Sequence, residues 1–183
     1  MQEYSNQNRR VTIEHSLWLM PAEPLKTLLQ SIIDRLAFAN GAVGFDPHVT
    51  VFCGRSDDKT TIATAQHIAN MFSPIELVAV KIDFTSVYTK SLFVQFDESE
   101  TSRCIHAAAK TRSAHGSSYE FNPHLSLLYK TISLETLSEI RQSLAVPLGP
   151  YAFDRLRAIE TEIPLTEPEQ IKKWRTVFDA ALH

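Results

Sequence analysis

Apolar and polar residues alternate through residues 11–20, and Pro21 closes the run, so the first element expected is a strand. Over residues 24–39 the period lengthens. Leu25, Leu28, Leu29, Ile32, Ile33 and Leu36 form the i, i+3, i+4 stripe of an amphipathic helix, and Asn40-Gly41 stops it. A strand is expected at 48–53, a helix at 60–72, strands at 75–88 and 91–97, and a helix at 99–114 with Ser99 as its N-cap. The pattern then predicts a strand at 124–129, a helix at 133–144 and one long or two short strands across 146–162, broken near Gly149-Pro150. Residues 164–169 read as loop, and 171–182 fit either a strand or a helix. The order βαβα, strands, αβαβ is an α+β pattern, with helices on one face of each sheet.

One stretch occurs twice. FDPHVTVF at 45–52 aligns without a gap on FNPHLSLL at 121–128, an offset of 76 residues. Each copy reads His-apolar-hydroxyl-apolar. Side chains two apart on a strand share a face, so His48 and Thr50 point one way, as do His124 and Ser126, while Val49 and Leu125 point into a core. An offset this long indicates a duplicated half-domain rather than a solenoid.

Length and charge narrow the rest. A chain of 183 residues supports one substantial core. With a net charge of −3, binding long nucleic acid through many phosphates is not favoured. Residues 1–10 read as a disordered polar tail without the apolar region of a secretory signal. No run is long enough to span a bilayer, so no membrane association is expected. Cys53 and Cys104 make no disulfide framework. A reducing, cytoplasmic setting with free thiols is expected.

The paired H-x-[ST]-x frames resemble those of the 2H phosphoesterase superfamily, and within it the branch that opens 2′,3′-cyclic nucleotides and ADP-ribose 1″,2″-cyclic phosphate. Further stretches agree: HSLWLMP at 15–21, with Trp18 and Pro21; a Pro before each motif His; and Tyr129 after the second motif. The resemblance implies a single domain over 11–183, with two pseudo-symmetric lobes facing each other across a cleft. Each lobe would be an antiparallel sheet with helices outside. It also implies a closing edge strand containing Trp174, which favours the strand reading of 171–182. His48 and His124 would be catalytic, Thr50 and Ser126 would bind phosphate, and Tyr129 and Trp18 would meet the substrate. His124 would be the base and His48 the acid, leaving a 2′-phosphate.

The chemistry of these residue types fits. Ring opening needs one proton taken from water and another given to the leaving ribose oxygen, and imidazole serves either role near neutrality. Hydroxyls beside each His suit the phosphoryl oxygens. The scheme needs no metal and no cofactor. The expected partner is a small nucleotide-like cyclic phosphate, with RNA ends as an alternative and a monomer as the expected state. An RNA-end 2′,3′-cyclic phosphodiesterase or 2′-5′ ligase-like enzyme, an inactive phospho-ligand domain, and a two-His metal site with Asp46 are the competing readings. Arg55, Lys90 and Lys130 are candidates for a distal phosphate. Phe93 reads as core. His15, His67, His106, His115 and His183 show no partner pattern and read as structural or exposed.

Overall fold

The computed structural model describes residues 11–113 and 117–183. The tail expected at 1–10 and His115 lie outside them. The first half of the chain runs β1 (Thr12–Pro21), α1 (Leu25–Asn40), β2 (Val49–Gly54), α2 (Asp58–Met71) and β3 (Ile75–Phe84). After a 3-10 turn at Tyr88–Lys90, the second half runs β4 (Leu92–Phe96), α3 (Glu100–Arg112), β5 (His124–Leu128), α4 (Leu134–Ser143) and β6 (Gly149–Ile163). The short α5 (Pro168–Ile171) and the edge strand β7 (Arg175–Ala181) complete it.

The helix boundaries follow their caps. Gly41, at φ 57°, takes the left-handed turn that ends α1, and its N–H returns to the Phe38 carbonyl while the next N–H returns to Ala37. Asp57 accepts from the Thr60 N–H and starts α2 two residues before the position expected from the apolar stripe. Ser99 and Ser102 cap α3 reciprocally. The strand reading of 171–182 holds for β7, with Trp174 one residue ahead of it. The stretch 146–162 is one strand, opening at Gly149.

The strands form a seven-stranded antiparallel sheet in the order β1-β2-β5-β4-β3-β6-β7, and β1 also pairs with β6. Six strands therefore close a ring, with β7 added to the outer edge of β6. Each half lends its third strand to the other. One lobe is β6-β1-β2, the other β3-β4-β5. The lobes meet at two seams. At one, Val49 pairs with Leu125; at the other, Glu76 pairs with Ala152. Both pairs are separated by the 76-residue offset of the repeat. A pseudo-two-fold axis thus passes through both seams, and the expected bilobal duplication is built as one continuous sheet.

The helices also cross between halves. α1 packs on β5 and α3 on β2, while α2 covers β6 and β7 and α4 lies on β3. The main core lies between helices and sheet. Leu17, Leu29, Ile33, Val49, Val51, Ile68, Leu125, Leu127 and Phe153 are fully buried there. Trp18, Met20 and Ile159 form a smaller cluster on the opposite face of β1, because alternate side chains of a strand face opposite ways. That second face carries the site.

Candidate active site

Across the β2–β5 seam, the antiparallel register about Val49 and Leu125 brings His48 opposite Ser126 and Thr50 opposite His124. His48, Thr50, His124, Tyr129 and Trp18 all line one cleft of about 310 Å³, together with Glu14, Ser16, Cys53, Tyr119, Thr161 and Trp174. Ser126 is buried beneath it, and its hydroxyl donates to the Thr89 carbonyl at 2.8 Å.

Both imidazoles are held by the same device. His48 Nδ1 lies 2.6 Å from the Asp46 carbonyl, and His124 Nδ1 lies 2.7 Å from the Asn122 carbonyl. A carbonyl only accepts, so each Nδ1 carries a hydrogen and each Nε2 lone pair is left for chemistry. Pro47 and Pro123, between these pairs, bias Asp46 and Asn122 toward extended backbone.

Burial sets the protonation. Desolvation lowers His48 to about 4, against the opposing hydrogen bond to Asp46, and the nearby charge of His124 lowers it further. Desolvation also lowers His124 to about 4, opposed by the Asn122 carbonyl and assisted by Lys90. Without ligand, both rings are neutral at neutral pH.

Aromatic side chains from the first strand of each half back the two rings. Trp18 stacks on His48 at 3.7 Å between centroids and 13° between planes. Phe93, read as core from the sequence, is indeed buried, and it also meets His124 edge-on at 5.6 Å. Trp18 itself is 4% exposed, packed between His48 and the edge of Trp174. Tyr129 stacks on Phe45 at 4.1 Å, and burial raises its phenol pKa, partly offset by the Ser126 hydroxyl.

The two halves differ in charge. Arg157 pairs with the Asp46 carboxylate and with Asp179, the latter at 2.8 Å. In the other half, the neutral Gln95 amide donates to Asn122 Oδ1 at 2.9 Å and to the Pro123 carbonyl at 2.9 Å. Lys90 lies over the Phe93 ring at 4.4 Å, beside His124, whereas the Lys130 ammonium donates to the Gly41 carbonyl at the end of α1. Of these two lysines, Lys90 is the one placed against the ring that backs His124.

Several cleft residues have no sequence signal of their own. A bulge in β2 places Leu17 opposite Phe52 but Trp18 opposite Thr50. Val51 and Phe52 both turn to the core, and Cys53 returns to the cleft face. The successive apolar pair Val51-Phe52, which breaks the alternation, is the trace it leaves in the sequence. Tyr119 reaches the Thr50 carbonyl across 69 residues at 2.8 Å. His15 does have a partner: its Nε2 meets Asp58 Oδ1 at 2.8 Å on the helix side of β1. Among the described residues, the one three-residue group with metal-ligand spacing is His15, Asp58 and Glu160. Arg175 already bridges its two carboxylates, and Asp46, weighed as a metal ligand, is held by Arg157.

No family model and no curated protein matches this sequence. Solved structures do. The chain is similar to a structure described as a phosphoesterase, at TM-score 0.60 and 11% identity, covering 93% of this chain and 99% of that one. It is similar to Escherichia coli LigT complexed with 3′-AMP, at TM-score 0.56 and 11% identity, covering 93% and 98%. It is also similar to TT0787 of Thermus thermophilus, at TM-score 0.56 and 13% identity, covering 92% and 97%. At these identities the likeness establishes a shared fold.

Proposed function

We propose, from the premise that this chain has the 2H phosphoesterase fold, that it hydrolyses a cyclic phosphodiester on a small nucleotide. The observation that carries the reading is the pair of Nε2 atoms, each left available by an identical Nδ1 anchor and both presented to one cleft. Water attacks phosphorus on the side opposite the departing ribose 3′ oxygen. His124 Nε2 takes a proton from the water. Protonated His48 gives one to the 3′ oxygen as its bond to phosphorus breaks, leaving a 2′-phosphate. Thr50 donates to a phosphoryl oxygen, and Ser126 does so once its hydroxyl rotates away from Thr89. Tyr129 and Trp18 form the wall against which the ligand sits.

Nearby charge acts differently on the two rings. Lys90 lowers His124, keeping the base neutral, while at His48 the Asp46 carboxylate raises the value against the lowering by His124 and Arg157. A bound phosphate anion adds further negative charge and raises the acid from its low resting value. Proton transfer and fixed donors suffice, so the reaction as proposed needs no metal or cofactor. The nucleotide seen in the LigT complex is consistent with a nucleotide-sized ligand.

The test is a substrate panel: 2′,3′-cyclic mononucleotides, ADP-ribose 1″,2″-cyclic phosphate, cyclic-ended RNA and 3′,5′-cyclic AMP. Release of a 2′-phosphate from the mononucleotides is the expected result. Turnover confined to RNA ends would move the substrate to polynucleotides, and no turnover of any member would overturn the reading.

A further inference from the structure

Among the described residues, Glu14 is the one acidic side chain lining the cleft, in a site otherwise suited to an anion. It sits on β1 four residues before Trp18, on the same face, and pairs across the sheet with Thr161 of β6. Trp18 is opposite Thr50, so the Glu14 backbone lies about 13 Å along the strand from the row holding the phosphate-binding hydroxyl, and its carboxylate leans back toward Cys53. That spacing, shortened by the reach of the side chains, matches the separation between a ribose phosphate and the far edge of its base.

Two neighbours orient the carboxylate. Thr12 Oγ1 donates to one oxygen at 3.3 Å and Cys53 Sγ to the other at 3.6 Å. Each oxygen can accept again, and no cation pairs with Glu14 among the described residues. Ser16 and Thr161 flank it on the cleft wall. A carboxylate so placed repels a second phosphate and attracts paired N–H donors. Lys90 lies at the opposite, His124 side. Glu14 therefore makes its end of the cleft the donor-seeking one.

We propose that Glu14 is a specificity residue that reads a guanine base, accepting from its adjacent N1–H and exocyclic N–H. This inference rests on the phosphate position proposed above. Guanine is the base that offers two neighbouring donors to two carboxylate oxygens. Uracil and adenine offer one donor beside an acceptor, which faces the carboxylate unfavourably. The same charge disfavours ADP-ribose cyclic phosphate, whose pyrophosphate would have to pass this wall.

Binding of guanosine, inosine and uridine 2′-monophosphates, measured by calorimetry, tests it without requiring turnover. The guanosine ligand should bind at least about tenfold more tightly than the uridine ligand, with inosine, which lacks the exocyclic amine, in between. In Glu14→Gln that ratio should collapse toward one. Equal affinities in the unaltered protein, or a guanine preference that survives in Glu14→Gln, would overturn the assignment. Cyclic phosphates opened without base preference would remove this subsite alone. A Glu14-dependent guanine preference without ring opening would keep the subsite and remove the catalytic reading.

Discussion

Val49 and Leu125 occupy the same place in the two repeated frames and are each other's partner across the sheet. This one contact places the candidate catalytic groups. Because the pseudo-two-fold axis runs between them, each His of one frame comes opposite the hydroxyl of the other. Both residues are fully buried, so the seam is fixed by packing on the helix side while the chemistry sits on the cleft side. Leu125→Ala should cost about 2–5 kcal/mol of stability and lower activity more than a core truncation remote from the seam, such as Ile68→Ala. Denaturation midpoints and kcat, measured on both variants, check it.

The two lowered histidines link stability to acidity. Their folded values, about 4, lie below the ordinary value of 6.5, so as pH falls the unfolded chain binds protons first. Stability should be at full strength above pH 6.5 and fall progressively between pH 6.5 and 4. Each imidazole accounts for up to about 3 kcal/mol of that loss. Replacing either His by Gln should flatten the decline. Urea midpoints across this window provide the measurement, and a decline as steep in both variants as in the parent would remove the linkage from these residues.

Much of this arrangement was legible in the chain. The alternation at 48–51 and 124–127 assigns His48, Thr50, His124 and Ser126 to one face without any structure, because side-chain direction on a strand has a period of two. The repeat offset exposes the duplication. What periodicity does not carry is which strands pair. The exchange of β3 and β6 between halves depends on contacts far apart in sequence, as does the Arg157–Asp46 pair, separated by 111 residues. Thr50 and Ser126 look equivalent in sequence, yet the Ser126 hydroxyl is engaged by the Thr89 carbonyl, a difference set by the 3-10 turn before β4. The early start of α2 was hidden because Asp57 acts through its side chain, outside the apolar stripe.

Arg157 pairs with the carboxylate of Asp46, the residue whose backbone carbonyl anchors His48. Its charge lowers the His48 value while the Asp46 carboxylate raises it. Arg157→Leu leaves that carboxylate unpaired and should raise the His48 value, moving the high-pH limb of kcat upward. Titration of the imidazole by NMR distinguishes this from loss of fold. An unchanged His48 titration would show that the pair has no hold on the ring.

A hydrolysis driven by proton transfer should persist after dialysis against EDTA, with kcat within about twofold of the untreated protein, far less than the loss from removing a general acid or base. Loss on chelation, restored by a divalent ion, would transfer the chemistry to a metal.

Leaving-group dependence in His48→Ala and His124→Ala addresses the two-histidine reaction itself. With a 2′,3′-cyclic nucleotide, each variant should lose at least about 10²-fold in kcat. His48→Ala also removes the ring stacked on Trp18, so circular dichroism must first confirm its fold. On a cyclic phosphodiester whose leaving oxygen departs without a proton, His48→Ala should recover much of its rate and His124→Ala should not. Recovery by His124→Ala alone would exchange the roles. Near-parental rates in either variant on the natural leaving group would contradict catalysis by this pair.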